Sequence, residues 1–116
     1  MLLLRLLHNG RRVAVRVWQC ESFLERAIGL IGQSPVPQDQ VLRIPRCRAI
    51  HTLGLRHPID VVFTDHNGRV LHCVRGLAPR RWALHRNASH VWEMRAGLAA
   101  VLGVEAGSEL VVAGCR

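Results

Sequence analysis

The tetrapeptide His-Asn-Gly-Arg occurs twice, at 8–11 and at 66–69, each time between segments that alternate or run apolar. Asn-Gly is the strongest short signal for a β-hairpin. A type I′ turn needs positive φ at both central residues, which Gly adopts freely and Asn tolerates. The first copy joins "LLLRLL" to "RVAVRVW", where Val13, Val15 and Val17 face one way and Ala14, Arg16 and Trp18 the other. The second joins "IDVVFTD" to "RVLHCV". Two hairpins make the chain largely β.

Between them, "CESFLERAIGLIG" carries Phe23, Leu24, Ala27, Ile28 and Ile31 at helical spacing, with Gly32 placed to end the helix and Arg26 off the apolar stripe. A turn-rich link, "GQSPVPQDQ", follows. Near the C-terminus the spacing predicts a strand through Trp92 and Met94, a short Ala-Leu helix stopped by Gly103, a Glu-Ala-Gly turn, and a last strand through Val111. Trp18 and Trp92, with Val91 and Met94, are expected in the core or at its rim.

A length of 116 residues with 49% hydrophobic content fits one domain, 1–116. The formal charge is +8, but all 16 basic residues are arginine. Complete exclusion of lysine reads as a GC-rich codon bias, and the arginines run from Arg5 to Arg116 without clustering along the chain. The opening "MLLLRLLHNGRR" is too short and too charged for a signal peptide, and no apolar run approaches a bilayer span. A soluble, cytoplasmic protein is the expectation. Cys20, Cys47, Cys73 and Cys115 would then be thiols, and their spacing holds no zinc or disulfide framework.

Five blocks, "RAIGLI" (26–31), "IHTLGLRHPIDVVF" (50–63), "DHNGRV" (65–70), "VWEMRAG" (91–97) and "LGVEAGSEL" (102–110), stand in an order that resembles the bacterial and archaeal domain of unknown function family 192, over about residues 13–112. The resemblance implies a compact β-sandwich or partly closed barrel with two short helices. It also marks polar positions that recur in the family's motif: Arg26, Thr52, Pro58, Asp60, Glu93 and Gly97. His51 and Gly54 fit a branch with His-Thr-x-Gly. Ile31 and Leu55 stand where Met is usual, a volume-conserving change, and Ser108 stands where Asp is frequent. The resemblance brings no activity.

The polar density of 49–63 suggests either a brace or a site. As a site, Arg26, His51, Thr52, Asp60 and Glu93 would line one polar cleft, the guanidinium gripping a carboxylate or phosphate and the carboxylates accepting hydroxyls of a small polar ligand or peptide. As a brace, Arg26 would pair with a buried carboxylate and Asp60 would cap a turn at the strand entrance. On the site reading the protein is expected to be a binding or accessory module that acts through this cleft.

A hydrolase or transferase would need His51 coupled to Asp60 or Glu93, with Thr52 or Cys47 as nucleophile, which nothing in the spacing specifies; Cys47 reads better as a buried apolar residue. Cys47, His51, His57, His72 and Cys73 do not form a recognisable metal framework, so no metal or cofactor is expected. His8 and His66 read as residues flanking the turns. Arg80, Arg81, Trp82 and Arg86 combine charge with an aromatic ring, the ingredients of nucleic-acid binding, but the plainer reading is an exposed loop with Trp82 as a lid. An edge strand near the first hairpin would offer a route to dimers.

Overall fold

The computed structural model describes residues 2–20 and 39–114. The expected helix over 21–32, the link up to Gln38, and Arg26 lie outside the described residues. The rest is mostly β. β1 (Leu2–His8) and β2 (Arg11–Gln19) form the first hairpin, followed by β3 (Gln40–Pro45), β4 (Ala49–His51), β5 (Ile59–Thr64), β6 (Val70–Leu77), β7 (Trp82–Leu84) and β8 (His90–Arg95). One short helix, α1 (Leu98–Leu102), precedes β9 (Leu110–Gly114). Seven strands pair in the order β6-β5-β8-β3-β2-β1-β9, and β4 pairs with β7 in a separate two-stranded sheet.

Alternation along the strands sends side chains to the two faces of the large sheet, and each face buries its own apolar cluster. One gathers Val15, Val17, Val41, Val62, Trp92 and Met94 against Leu98 and Ala99 of α1. The other gathers Leu42, Ile44, Ile59, Val61, Phe63 and Val91 against Cys47 and Ile50 of the small-sheet segment. This explains the consecutive apolar residues Val61, Val62 and Phe63 in β5, where all six residues are buried: a strand covered on both faces has no solvent side, and its polar residues Asp60 and Thr64 are buried too.

Both Asn-Gly turns join the strands expected of them, but by different geometries. At Asn9 (φ 51) and Gly10 (φ 79) both central residues are left-handed, as a two-residue turn requires. In the second copy only Gly68 has positive φ. There Gly68 N–H donates to the Asp65 carbonyl and Asp65 N–H to the Arg69 carbonyl, a wider turn with Gly68 in the left-handed position. The preceding residue makes the difference: Asp65 Oδ1 accepts from Asn67 N–H and Arg69 N–H, a bonding that Leu7, before the first copy, cannot offer.

The two turns converge on one segment. Asn9 N–H donates to the Glu109 carbonyl while its side-chain oxygen accepts from Glu109 N–H, and Leu110 N–H donates to the Gly68 carbonyl. A side chain at Gly68 would collide with the Leu110 carbonyl oxygen. Through these bonds and an isolated Arg69–Glu109 bridge, the start of β6 touches the approach to β9, yet the outer strands do not pair along their length and the sheet stays open. The first hairpin is interior, since β1 lies between β2 and β9; the sheet's edges are β6 and β9.

Candidate functional site

Asp60 lies inside β5, fully buried, and accepts three backbone N–H groups. Its Oδ1 takes Gly76 N–H at 2.9 Å. The β5–β6 register slips between Ile59 and Val61, and Gly76, at φ 65, belongs to the resulting bulge. Its Oδ2 takes Gly97 and Ala99 N–H, both at 3.0 Å. Gly97 is the N-cap of α1 and has no side chain to cap with. Asp60 thus satisfies from the sheet the donors that a bulge and a helix start leave open. Its role extends well beyond the cap at a strand entrance expected from sequence.

Glu93 projects from the other face. In the β5–β8 register Asp60 is opposite Met94 and Val61 opposite Glu93, so the two carboxylates point to opposite sides of the sheet. The Glu93 side chain sits between Leu42 and Val61, 6% exposed, with no hydrogen bond or ion pair among the described residues. Burial alone pushes its carboxyl up to about 7.

Thr52 is also fully buried and stitches the end of β4 to the segment before β7. Its hydroxyl donates to the Ala78 carbonyl at 2.7 Å and accepts from Arg81 N–H at 2.8 Å. Its backbone N–H donates to Arg81 and its carbonyl accepts from Arg80. His51, one residue earlier, is exposed, accepts Leu53 N–H on Nδ1 at 3.2 Å, and packs its ring 5.1 Å from Trp82. No carboxylate hydrogen-bonds to His51 among the described residues. Of the five residues singled out in the sequence, His51 and Thr52 come together, Asp60 and Glu93 part to opposite faces, and Arg26 lies outside the described residues.

What the sequence reading missed is that His51 and Trp82 share one exposed face. In the β4–β7 sheet, Ile50 and Ala83 pair inward while Ala49 and His51 pair with Leu84 and Trp82 on the outer face. Trp82 is 66% and Leu84 69% exposed, so Trp82 is no lid. Segments 46–58 and 78–90, joined through this sheet, carry Arg46, Arg48, Arg56, Arg80, Arg81 and Arg86, all exposed, and no acidic residue. Six arginines that look scattered along the chain thus lie on two segments that the fold pairs. At one end of the region, His90 Nδ1 accepts Arg46 N–H, and burial, then the charges of Arg43 and Arg46, lower its pKa.

Arg43 itself lies 5.3 Å over the Trp92 ring and donates to the Gln19 side chain, while its Nε is buried without a partner among the described residues. Burial lowers its pKa. Cys47 is buried, its thiol 3.1 Å from the Ala49 carbonyl, as a core thiol. No group of three or more His, Cys, Asp or Glu able to hold a metal occurs among the described residues. No helix among them is long and apolar enough to cross a membrane.

The model of family DUF192, described as "Uncharacterized ACR, COG1430", matches residues 5–112. No curated protein matches. Among solved structures, the chain is similar to a protein of unknown function from Novosphingobium aromaticivorans DSM 12444, with a TM-score of 0.79 and 19% identity over 94% of this chain and 83% of that one. It is also similar to a protein from Sinorhizobium meliloti 1021 described as a "putative transcription regulator", with a TM-score of 0.82 and 22% identity over 97% of this chain and 94% of that one. At these identities the likeness carries the fold alone.

Proposed function

Because the chain belongs to the DUF192 family, whose description names no activity, we propose a function from its surface: it is a binding or accessory module that docks an anionic partner on the outer face of the β4–β7 sheet. The observation that carries this is the exposed pair Trp82 and Leu84 on segment 78–90, which together with the paired segment 46–58 bears six exposed arginines and no acidic residue. Large exposed apolar side chains rimmed by charge mark interaction sites, and arginine forks suit phosphate and carboxylate. His51 contributes from the face itself, and Thr52 holds the two halves of the face in register. A cleft shared by Asp60 and Glu93 has no support in their opposed directions, and among the described residues no carboxylate hydrogen-bonds to the His51 ring, as a His-carboxylate couple would require. A cytoplasmic setting and a single domain belong to the same proposal, as does the reading of the large sheet as a partly closed barrel, supported by the contact between its outer strands.

Two adjacent arginine pairs make a charge-matched test. Arg80→Glu with Arg81→Glu is expected to lower the salt needed to elute the protein from a heparin column well below that of the parent. Arg11→Glu with Arg12→Glu, exposed at the first hairpin, changes net charge equally and is expected to lower it less. Equal losses would mean that retention reads net charge alone, and the proposal fails.

A further inference from the structure

We infer that the anionic partner is a single-stranded nucleic acid, with an unstacked base laid on Trp82 and its flanking phosphates held by the surrounding arginines. This rests on the docking face proposed above and names its occupant. Three features favour that chemistry over an acidic peptide. An indole two-thirds exposed, on a segment that also carries the exposed Arg80, Arg81 and Arg86, offers a flat π-face, which a base can cover and a carboxylate side chain cannot. The His51 ring, tilted 58° against Trp82, fixes the indole from one side and adds a second aromatic surface beside it. The arginines lie on the ring's own segment and on the segment paired with it rather than at one point, which suits a backbone that carries a charge at every nucleotide.

The same geometry argues against duplex DNA. The face is a short two-stranded sheet whose apolar centre, Trp82 and Leu84, would meet a sugar-phosphate ridge in a duplex, whereas a single strand can turn its bases toward it. Thr52 is a positioning residue here. Its bonds to 78–81 set where Arg80, Arg81 and Trp82 stand relative to β4.

The test is fluorescence anisotropy with labelled mixed-sequence ten-nucleotide RNA and DNA strands, the corresponding duplexes, and poly-L-glutamate as competitor. The single strands are expected to bind more tightly than the duplexes and to resist poly-L-glutamate. Trp82→Ala should weaken single-strand binding about tenfold or more, and Trp82→Phe should restore part of it. Trp82→Ala should leave the salt dependence alone, while Arg80→Gln with Arg81→Gln should reduce the slope of log affinity against log salt by about 1.4, at about 0.7 for each phosphate contact on a single strand. RNA against DNA reports whether a 2′-hydroxyl is read. If duplexes bind as well as single strands, or poly-L-glutamate displaces them fully and Trp82→Ala changes nothing, the inference is overturned and the face remains an anion-docking surface. Failure to bind any polyanion, heparin included, sinks both readings.

Discussion

Two buried carboxylates stand one register position apart on neighbouring strands and live in opposite circumstances. Asp60 faces the side of the sheet that α1 covers and accepts three backbone N–H groups. Glu93 faces the side toward the small sheet and accepts none among the described residues. Among the described residues the same chemical group is therefore a structural tie in one place and a net cost in the other. A buried carboxylate stabilises only where the fold supplies donors enough to replace its water.

The largest effect belongs to Asp60. Asp60→Ala strands three buried donors at once, at about 1–3 kcal/mol each and not additively, so a loss of about 4 kcal/mol is expected in urea unfolding. Asp60→Asn keeps one acceptor oxygen but turns an amide N–H₂ toward backbone donors, and should fall between the parent and Asp60→Ala. A melting temperature for Asp60→Asn at or above that of the parent would remove Asp60 from the framework and reopen it as a ligand group.

Glu93 should move the other way. Its folded pKa of about 7 lies above its ordinary value of 4.5, so the folded state holds the proton more tightly than the unfolded state does. Stability from this group is complete below the unfolded value and is lost as pH rises through the folded one. Glu93→Gln removes the titration. Each pH unit between the folded and unfolded pKa values is worth about 1.36 kcal/mol, so the variant should gain on the order of 3 kcal/mol over the parent at pH 8 and nearly nothing at pH 4. A stability difference that does not change with pH would mean that Glu93 finds a partner in solution, and the contrast with Asp60 would collapse.

How far these roles could be read beforehand depends on where their partners lie. The hairpins, the strand through Trp92 and Met94, and the Gly103 stop were legible because each depends on residues within a few positions of one another. The Asp65 side chain, which diverts the second Asn-Gly turn, is equally local, although the Asn-Gly pair alone does not reveal it. Asp60 was recognisable as important through the polar density of 49–63 and the motif, but its role was not, since its partners Gly76, Gly97 and Ala99 come from distant segments and contribute nothing but backbone. The opposition of Asp60 and Glu93 required the β5–β8 register, which no local pattern specifies. The cationic face was legible in part, through Arg80, Arg81, Trp82 and Arg86, whereas the contribution of Arg46, Arg48 and Arg56 depends on the long-range pairing of the two segments, although the lack of any acidic residue from 40 to 59 and from 66 to 92 was a signal open to inspection.

The smallest expected effect is the sharpest test of the contrast. If Asp60 and Glu93 shared a polar cleft, their charges would act on each other in a shielded space, and removing one would relieve the other. Instead the sheet and its apolar layers separate them, and burial is the sole cause of the rise at Glu93. A double-mutant cycle of Asp60→Asn and Glu93→Gln at pH 8 should therefore give a coupling below about 0.5 kcal/mol, even though the single changes differ in sign and each is several times larger. A coupling above about 1 kcal/mol would place the two groups in one electrostatic unit, and the polar cleft would again become the leading candidate for a binding site.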